Sequence, residues 1–121
     1  MVLSKLDQIK FPFFRGVSSA SESDIFNNNC YNILTLEVSG AESVSLRVQG
    51  CVNVEDSRRV PLDDENLTWF DMATINAGDF SVASTITANG IYSIGISGTT
   101  KIRVVVDSVS GSATVIGVLE A

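Results

Sequence analysis

The sequence has 121 residues, of which 45% are apolar and 18% charged, with two prolines, enough for one buried core and too short for two domains of roughly 100–200 residues. Histidine is absent, which removes the usual general base of serine and cysteine hydrolases and the commonest neutral metal ligand. Eight Lys and Arg against fourteen Asp and Glu give a formal charge of −6, so attraction to phosphate backbones, and with it a nucleic-acid partner, is not expected. Two cysteines, Cys30 and Cys51, are too few for a disulfide framework and fit a reducing compartment. The opening residues lack the continuous apolar stretch of a signal peptide, and no run approaches the about 18 apolar residues of a membrane span. The expectation is synthesis in a cytosol, with no membrane partner.

Residues 1–29 read as an N-terminal arm. Val2, Leu3 and Ile9 lead to the aromatic cluster Phe11, Phe13 and Phe14, followed by a polar stretch over residues 18–24 and by Asn27, Asn28 and Asn29. From Cys30 onward the pattern is period-two alternation rich in Val, Ile and Thr, broken by Gly, Asn, Ser and Asp, so residues 30–121 predict one β-sandwich domain, jelly-roll-like, of about seven to eight strands. A strand over residues 31–39 places Leu34, Leu36 and Val38 on one face, and residues 43–50 do the same with Val44, Leu46 and Val48. Residues 40–42 predict a hairpin between the two. Residues 52–54 form a short strand, and residues 55–66 form the longest loop. Strands follow over residues 67–75 and 80–87, and Asn89-Gly90 signals a tight turn. Residues 91–97, 101–107 and 113–119 complete the set, with turns at 97–100 and 108–111.

The C-terminal half, residues 86–119, resembles small structural proteins of tailed bacteriophages. The shared pattern is a Gly-aromatic strand, a Ser-Gly turn, an Ile or Val strand with an Arg, a second Ser-Gly turn and a last Thr-Val-x-Gly strand. It is carried here by Gly90 and Tyr92, Ser97-Gly98, residues 101–104 with Arg103, Ser110-Gly111, and Thr114, Val115 and Gly117. The strands containing Leu34 and Val44 are similar to those that precede a short loop and a Trp in this group. Here the loop before Trp69 is longer and carries Arg58, Arg59, Asp63, Asp64 and Glu65. The resemblance implies a virion component, commonly a capsid decoration or head-associated protein. By the same analogy the partners are the major capsid protein or other virion proteins, together with further copies of the chain in a homo-oligomer such as a trimer.

Several residues are candidates for contact chemistry. Phe11, Phe13 and Phe14 offer apolar surface that either folds back on the sandwich or inserts into a partner, each buried Phe contributing about 1.5–3 kcal/mol. Arg58 and Arg59 can pair with acidic residues of a partner, although exposed loop charges are commonly just solvated. Trp69, Phe70 and Tyr92 can form an aromatic platform for a sugar ring; against this, a single Trp in a strand is more often core. The acidic cluster with Glu55 and Asp56 contains oxygen ligands of the kind calcium takes, but lacks the alternation and Gly of an EF-hand loop. Asp71 and Asp79 are the carboxylates available for a glycosidase-type pair, with nothing in the sequence to set them across a cleft. Cys30 and Cys51 read as small buried apolar residues. The resemblance implies a virion protein, and the residues add the expectation that it is non-enzymatic, with no cofactor and no metal. Its alternatives are a tail, neck or fibre component and a glycan-binding module in host attachment.

Overall fold

The computed structural model describes residues 8–121. In chain order the elements are β1 (Gln8–Val17), β2 (Ser21–Glu22), β3 (Phe26–Asn27), β4 (Ile33–Cys51), a 3-10 turn (Asp64–Asn66), β5 (Phe70–Asp71), β6 (Thr74–Asn76), β7 (Val82–Ala83), β8 (Gly90–Gly95) and β9 (Lys101–Glu120). The frame is a long antiparallel ribbon of β4 and β9, in register from Ile33 opposite Glu120 to Cys51 opposite Lys101. Along β4, Leu34, Leu36, Val38, Val44, Leu46 and Val48 are buried; along β9, Ile102, Val104, Val106, Ala113, Val115 and Leu119 are buried. Val106 and Ala113 are an odd number of positions apart, so strict alternation would put them on opposite faces. The phase is reset at the register shift between Ser45 and Leu46, where Asp107 is the extra residue between Ser108 and Val106, whereas the two shifts flanking Ala41, which faces Gly111, cancel.

Gly40 and Gly111 occupy the left-handed region at φ 82° and 80°. A Cβ on Gly40 would lie 2.8 Å from the Ser112 carbonyl oxygen, so the bend requires glycine both for its backbone angles and for the space. Each long strand consequently serves two layers. In the first, the order is β1, β9, β4, β8, β6, β7, using the C-terminal half of β9 and the N-terminal half of β4. In the second, β2 and β3 pair with the N-terminal half of β9, while β5 and an Ile86 bridge flank the C-terminal half of β4. Inward side chains of both halves form one apolar cluster. This is the all-β, sandwich-like architecture expected from the alternation.

The connections differ from those read in the sequence. Residues 40–42 and 108–111 are bulges inside continuous strands and make no hairpin, because the partner strand runs past the bend and keeps pairing. The span read as a strand at 67–75 divides into β5 and β6, and 80–87 contributes only β7. Asn89-Gly90 is not a hairpin turn either: β7 pairs with β6, and β8 pairs with β4 and β6. Asn89 instead closes on the bulge, its Nδ2 donating to the Ala41 carbonyl at 2.8 Å and its Oδ1 accepting from the Ala41 N–H at 3.2 Å.

The segment read as an arm is, over residues 8–27, part of the sheet. β1 lies along the outer edge of β9, from Gln8 opposite Glu120 to Val17 opposite Ala113. Phe13 is 5% exposed, with Phe11 edge-on to it at 4.9 Å and to Phe26 at 5.2 Å between ring centroids. Phe11 and Phe14 are half-buried against the same core. The polar stretch is pinned too, since the Ser23 N–H donates to the Val104 carbonyl and the Ser23 hydroxyl accepts from the Val104 N–H, both at 2.8 Å. Of the two readings of the aromatics, the fold takes the one in which they fold back, and Phe13 is core rather than a free partner contact. Val2 and Leu3 lie outside the described residues.

Candidate functional site

The second layer carries a charged outer face. Outward positions alternate with the buried ones, bringing Arg47 and Gln49 of β4 beside Arg103 and Asp107 of β9. Arg47 holds Asp107 through two bonds of 2.8 Å and reaches Asp71 at 3.1 Å. Gln49 donates to Asp71 at 3.0 Å and accepts from Arg103 at 2.9 Å, and Arg103 continues to Glu22 at 3.1 Å. The forked bond from Arg47 holds the Asp107 carboxyl below its ordinary range. Arg103 also stacks over Trp69, its guanidinium carbon 4.3 Å from the ring centroid. The Trp69 Nε1 is buried without a hydrogen-bond partner, so the indole is wedged against this ladder rather than presented as a flat surface.

Tyr92 sits on the first layer, opposite Leu36. It is 5% exposed and its hydroxyl donates to the Ala88 carbonyl at 2.7 Å. Burial, and secondarily the charge of Asp79, push the phenol up from its ordinary value. Trp69 and Tyr92 therefore belong to different layers and form no common platform, because alternation along β8 turns Tyr92 inward beside Ile94. Phe70, next to Trp69, is exposed.

Arg58 and Arg59 sit at the tip of a small loop closed by Asp56. One Asp56 oxygen accepts from the N–H groups of Arg58 at 2.8 Å and Val60 at 3.0 Å, which lowers its pKa. The carboxylate thus builds the turn, with Arg59 at φ 62°. Arg58 is 82% exposed and 3.5 Å from the other Asp56 oxygen, so both arginines project where a partner can reach them. Asp64 accepts from the Lys101 ammonium at 3.1 Å. Among the described residues no three acidic or cysteine side chains converge as metal ligands. Asp71 lies in the Arg47 ladder and Asp79 at the β6–β7 turn bonded to Ser81, in separate layers. Cys51 is buried, which pushes its thiol up, whereas Cys30 is exposed rather than buried as expected.

The feature missed in the sequence lies on the outer face of the first layer. Ile75 stands opposite Val82, and Ser93, the other partner of Ile75, is two residues along β8 from Ile91. All three apolar side chains are exposed, with Ile33 on the same sheet and Phe80 at the turn. Phe80 is 78% exposed and held at φ 61°, a region unfavourable for a bulky side chain. Beside this face is a depression of about 400 Å³ lined by Lys10, Arg15, Thr35, Glu37, Ile91 and Ile116, among others. The alternation of Ile91 with Tyr92 was the available signal.

A sandwich with this bent ribbon has counterparts of known structure. The fold is that of two proteins of known structure. The chain matches the SPBc2 prophage-derived protein YomS with a TM-score of 0.79 and 26% identity, over 95% of this chain and 94% of that one. It matches the PBSX exported protein XepA with a TM-score of 0.74 and 20% identity, over 94% of this chain. It spans only 38% of the XepA chain. No protein-family model matches the sequence, and no curated protein matches it significantly. The likeness to the prophage-derived YomS agrees with the phage resemblance read from residues 86–119, at the level of phage association and not of capsid decoration.

Proposed function

We propose that this chain is a non-enzymatic structural protein of a phage particle, a sandwich that binds the assembled capsid and reinforces or decorates it. The observation that supports this most is the near full-length likeness to a prophage-derived protein. Two surfaces suit such a role. The apolar outer face with Ile75, Val82 and Ile91 is proposed to meet a second copy in a homo-oligomer, with a trimer the first symmetry to test. The exposed Arg58 and Arg59 tip is proposed to meet acidic groups of the shell. A protein that binds the assembled lattice but not free subunits shifts the equilibrium toward assembly, so no catalytic group is required.

The test is the copy number in purified particles, measured by quantitative mass spectrometry against the major capsid protein. A number comparable to the shell subunit is expected. A number far below it moves the protein to the tail, neck or a fibre. A second reading is drawn from the description of XepA as an exported protein: absence from particles together with presence in the culture medium would overturn the virion role in favour of export.

A further inference from the structure

Where residues 84–88 leave edge strand β7 and cross to the second layer, they and the β6–β7 hairpin enclose a cleft of about 250 Å³. We propose that this cleft binds one ring of a neutral saccharide. Its side chains set the ligand class. Asn76, Asp79, Ser81, Thr85, Thr87 and Tyr92 contribute an amide, a carboxylate and hydroxyls, and none of the lining residues is basic. A phosphate, sulfate or carboxylate would meet Asp79 with no cation to offset the repulsion. A calcium ion takes 6–8 oxygen ligands and favours several carboxylates, whereas this cleft has one. A neutral ring rich in hydroxyls satisfies the set, since each sugar hydroxyl both donates and accepts.

The polar groups are fixed and still have bonding capacity. Asn76 Oδ1 accepts from the Gly78 N–H at 2.7 Å, and Asp79 Oδ1 accepts from the Ser81 N–H at 2.9 Å and hydroxyl at 2.7 Å. Among the described residues, Asn76 Nδ2, Asp79 Oδ2 and the Thr85 and Thr87 hydroxyls bond to no protein group. The turn therefore holds a donor and an acceptor in place beforehand, which lowers the ordering cost of binding. The volume is below the roughly 300–1,000 Å³ of drug-sized sites, which suits a single ring with the rest of a glycan in solvent. Phe80 does not line the cleft. The inference does not depend on the capsid role.

The experiment is a titration of the isotope-labelled full chain with D-glucose, D-galactose, D-mannose and N-acetyl-D-glucosamine, followed by amide NMR. Saturable shifts over residues 76–81 and 85–88 are expected with at least one sugar. Asn76→Asp keeps the acceptor for Gly78 and removes the amide donor; Asp79→Asn keeps an acceptor for Ser81. Each should weaken binding about tenfold or more, with the remaining spectrum unchanged. Should either variant unfold, Thr87→Val, at an exposed position that makes no protein bond, carries the test in its place. Phe80→Gly should bind as the parent does. Absence of saturable shifts with all four sugars, or shifts confined elsewhere, would overturn the proposal. So would loss of binding in Phe80→Gly with retention in Asp79→Asn, which would place the sugar on the outer apolar face.

Discussion

At Gly117 the absence of one carbon decides how the N-terminal strand joins the core. A Cβ there would lie 2.7 Å from a ring carbon of Phe13 and 2.8 Å from a methyl of Leu34. Both are fully surrounded side chains, and neither has a free rotamer to retreat into. Gly117→Ala should therefore destabilise the fold by about 1–3 kcal/mol, the range of overpacked cores. Phe13→Ala alone should cost about 3–5 kcal/mol through the cavity it leaves. In the double variant the added methyl faces that cavity, so the cost of Gly117→Ala shrinks. Urea unfolding of the four proteins measures the coupling. Equal cost of Gly117→Ala in both backgrounds would mean that the Phe13 ring does not fill the space over Gly117.

At the scale of the element, the ribbon of β4 and β9 makes two layers from two strands, and its bend rests on paired glycines. Gly40→Ala sets a side chain at φ 82° and 2.8 Å from the Ser112 carbonyl oxygen, and Ser112 lies between Gly111 and Ala113, which are both paired. A loss of about 1–3 kcal/mol is expected. A change at Gly98, also at φ 84° but with open space around a Cβ, should cost only about 1 kcal/mol. Thermal unfolding of the two variants separates the contact from the angle. This is also where the sequence stopped being legible. Alternation of Leu34, Leu36 and Val38 and of Ile102, Val104 and Val106 disclosed which faces are buried, because burial on one side writes a period of two. Ser39-Gly40 and Ser110-Gly111 disclosed positive φ but not its use, since a turn and a bulge require the same backbone angle and differ only in whether the partner strand continues. Phe13 was ambiguous for a related reason: its destination depends on Gly117, about a hundred residues away. Trp69 and Tyr92 were read as members of one platform, yet their layers follow from pairing, which no local pattern records. Residues 76–79 fell between the strands predicted at 67–75 and 80–87, so the polar cleft had no sequence signal beyond a run of small polar residues.

For the whole molecule, the unequal outer faces of the two layers govern what it can join. The second layer satisfies its charges internally through Arg47, Arg103 and their carboxylates, leaving little reason to be covered. The first leaves Ile75, Val82 and Ile91 in water, and scattered apolar residues become an interface when they are contiguous on one sheet. Lys10, Arg15 and Glu37 all line the neighbouring depression, so a second copy turned about an axis can set opposite charges together. If that copy is the occupant, Ile91→Lys should yield monomers in sedimentation velocity at concentrations where the parent associates. The unfolding midpoint of the monomeric variant in denaturant should shift little, because Ile91 makes no part of the buried core. Charged substitution at Arg58 should leave association untouched and weaken attachment to particles instead. A parent chain that sediments as a monomer throughout would exclude a second copy from this face and leave the shell itself as the surface that covers it.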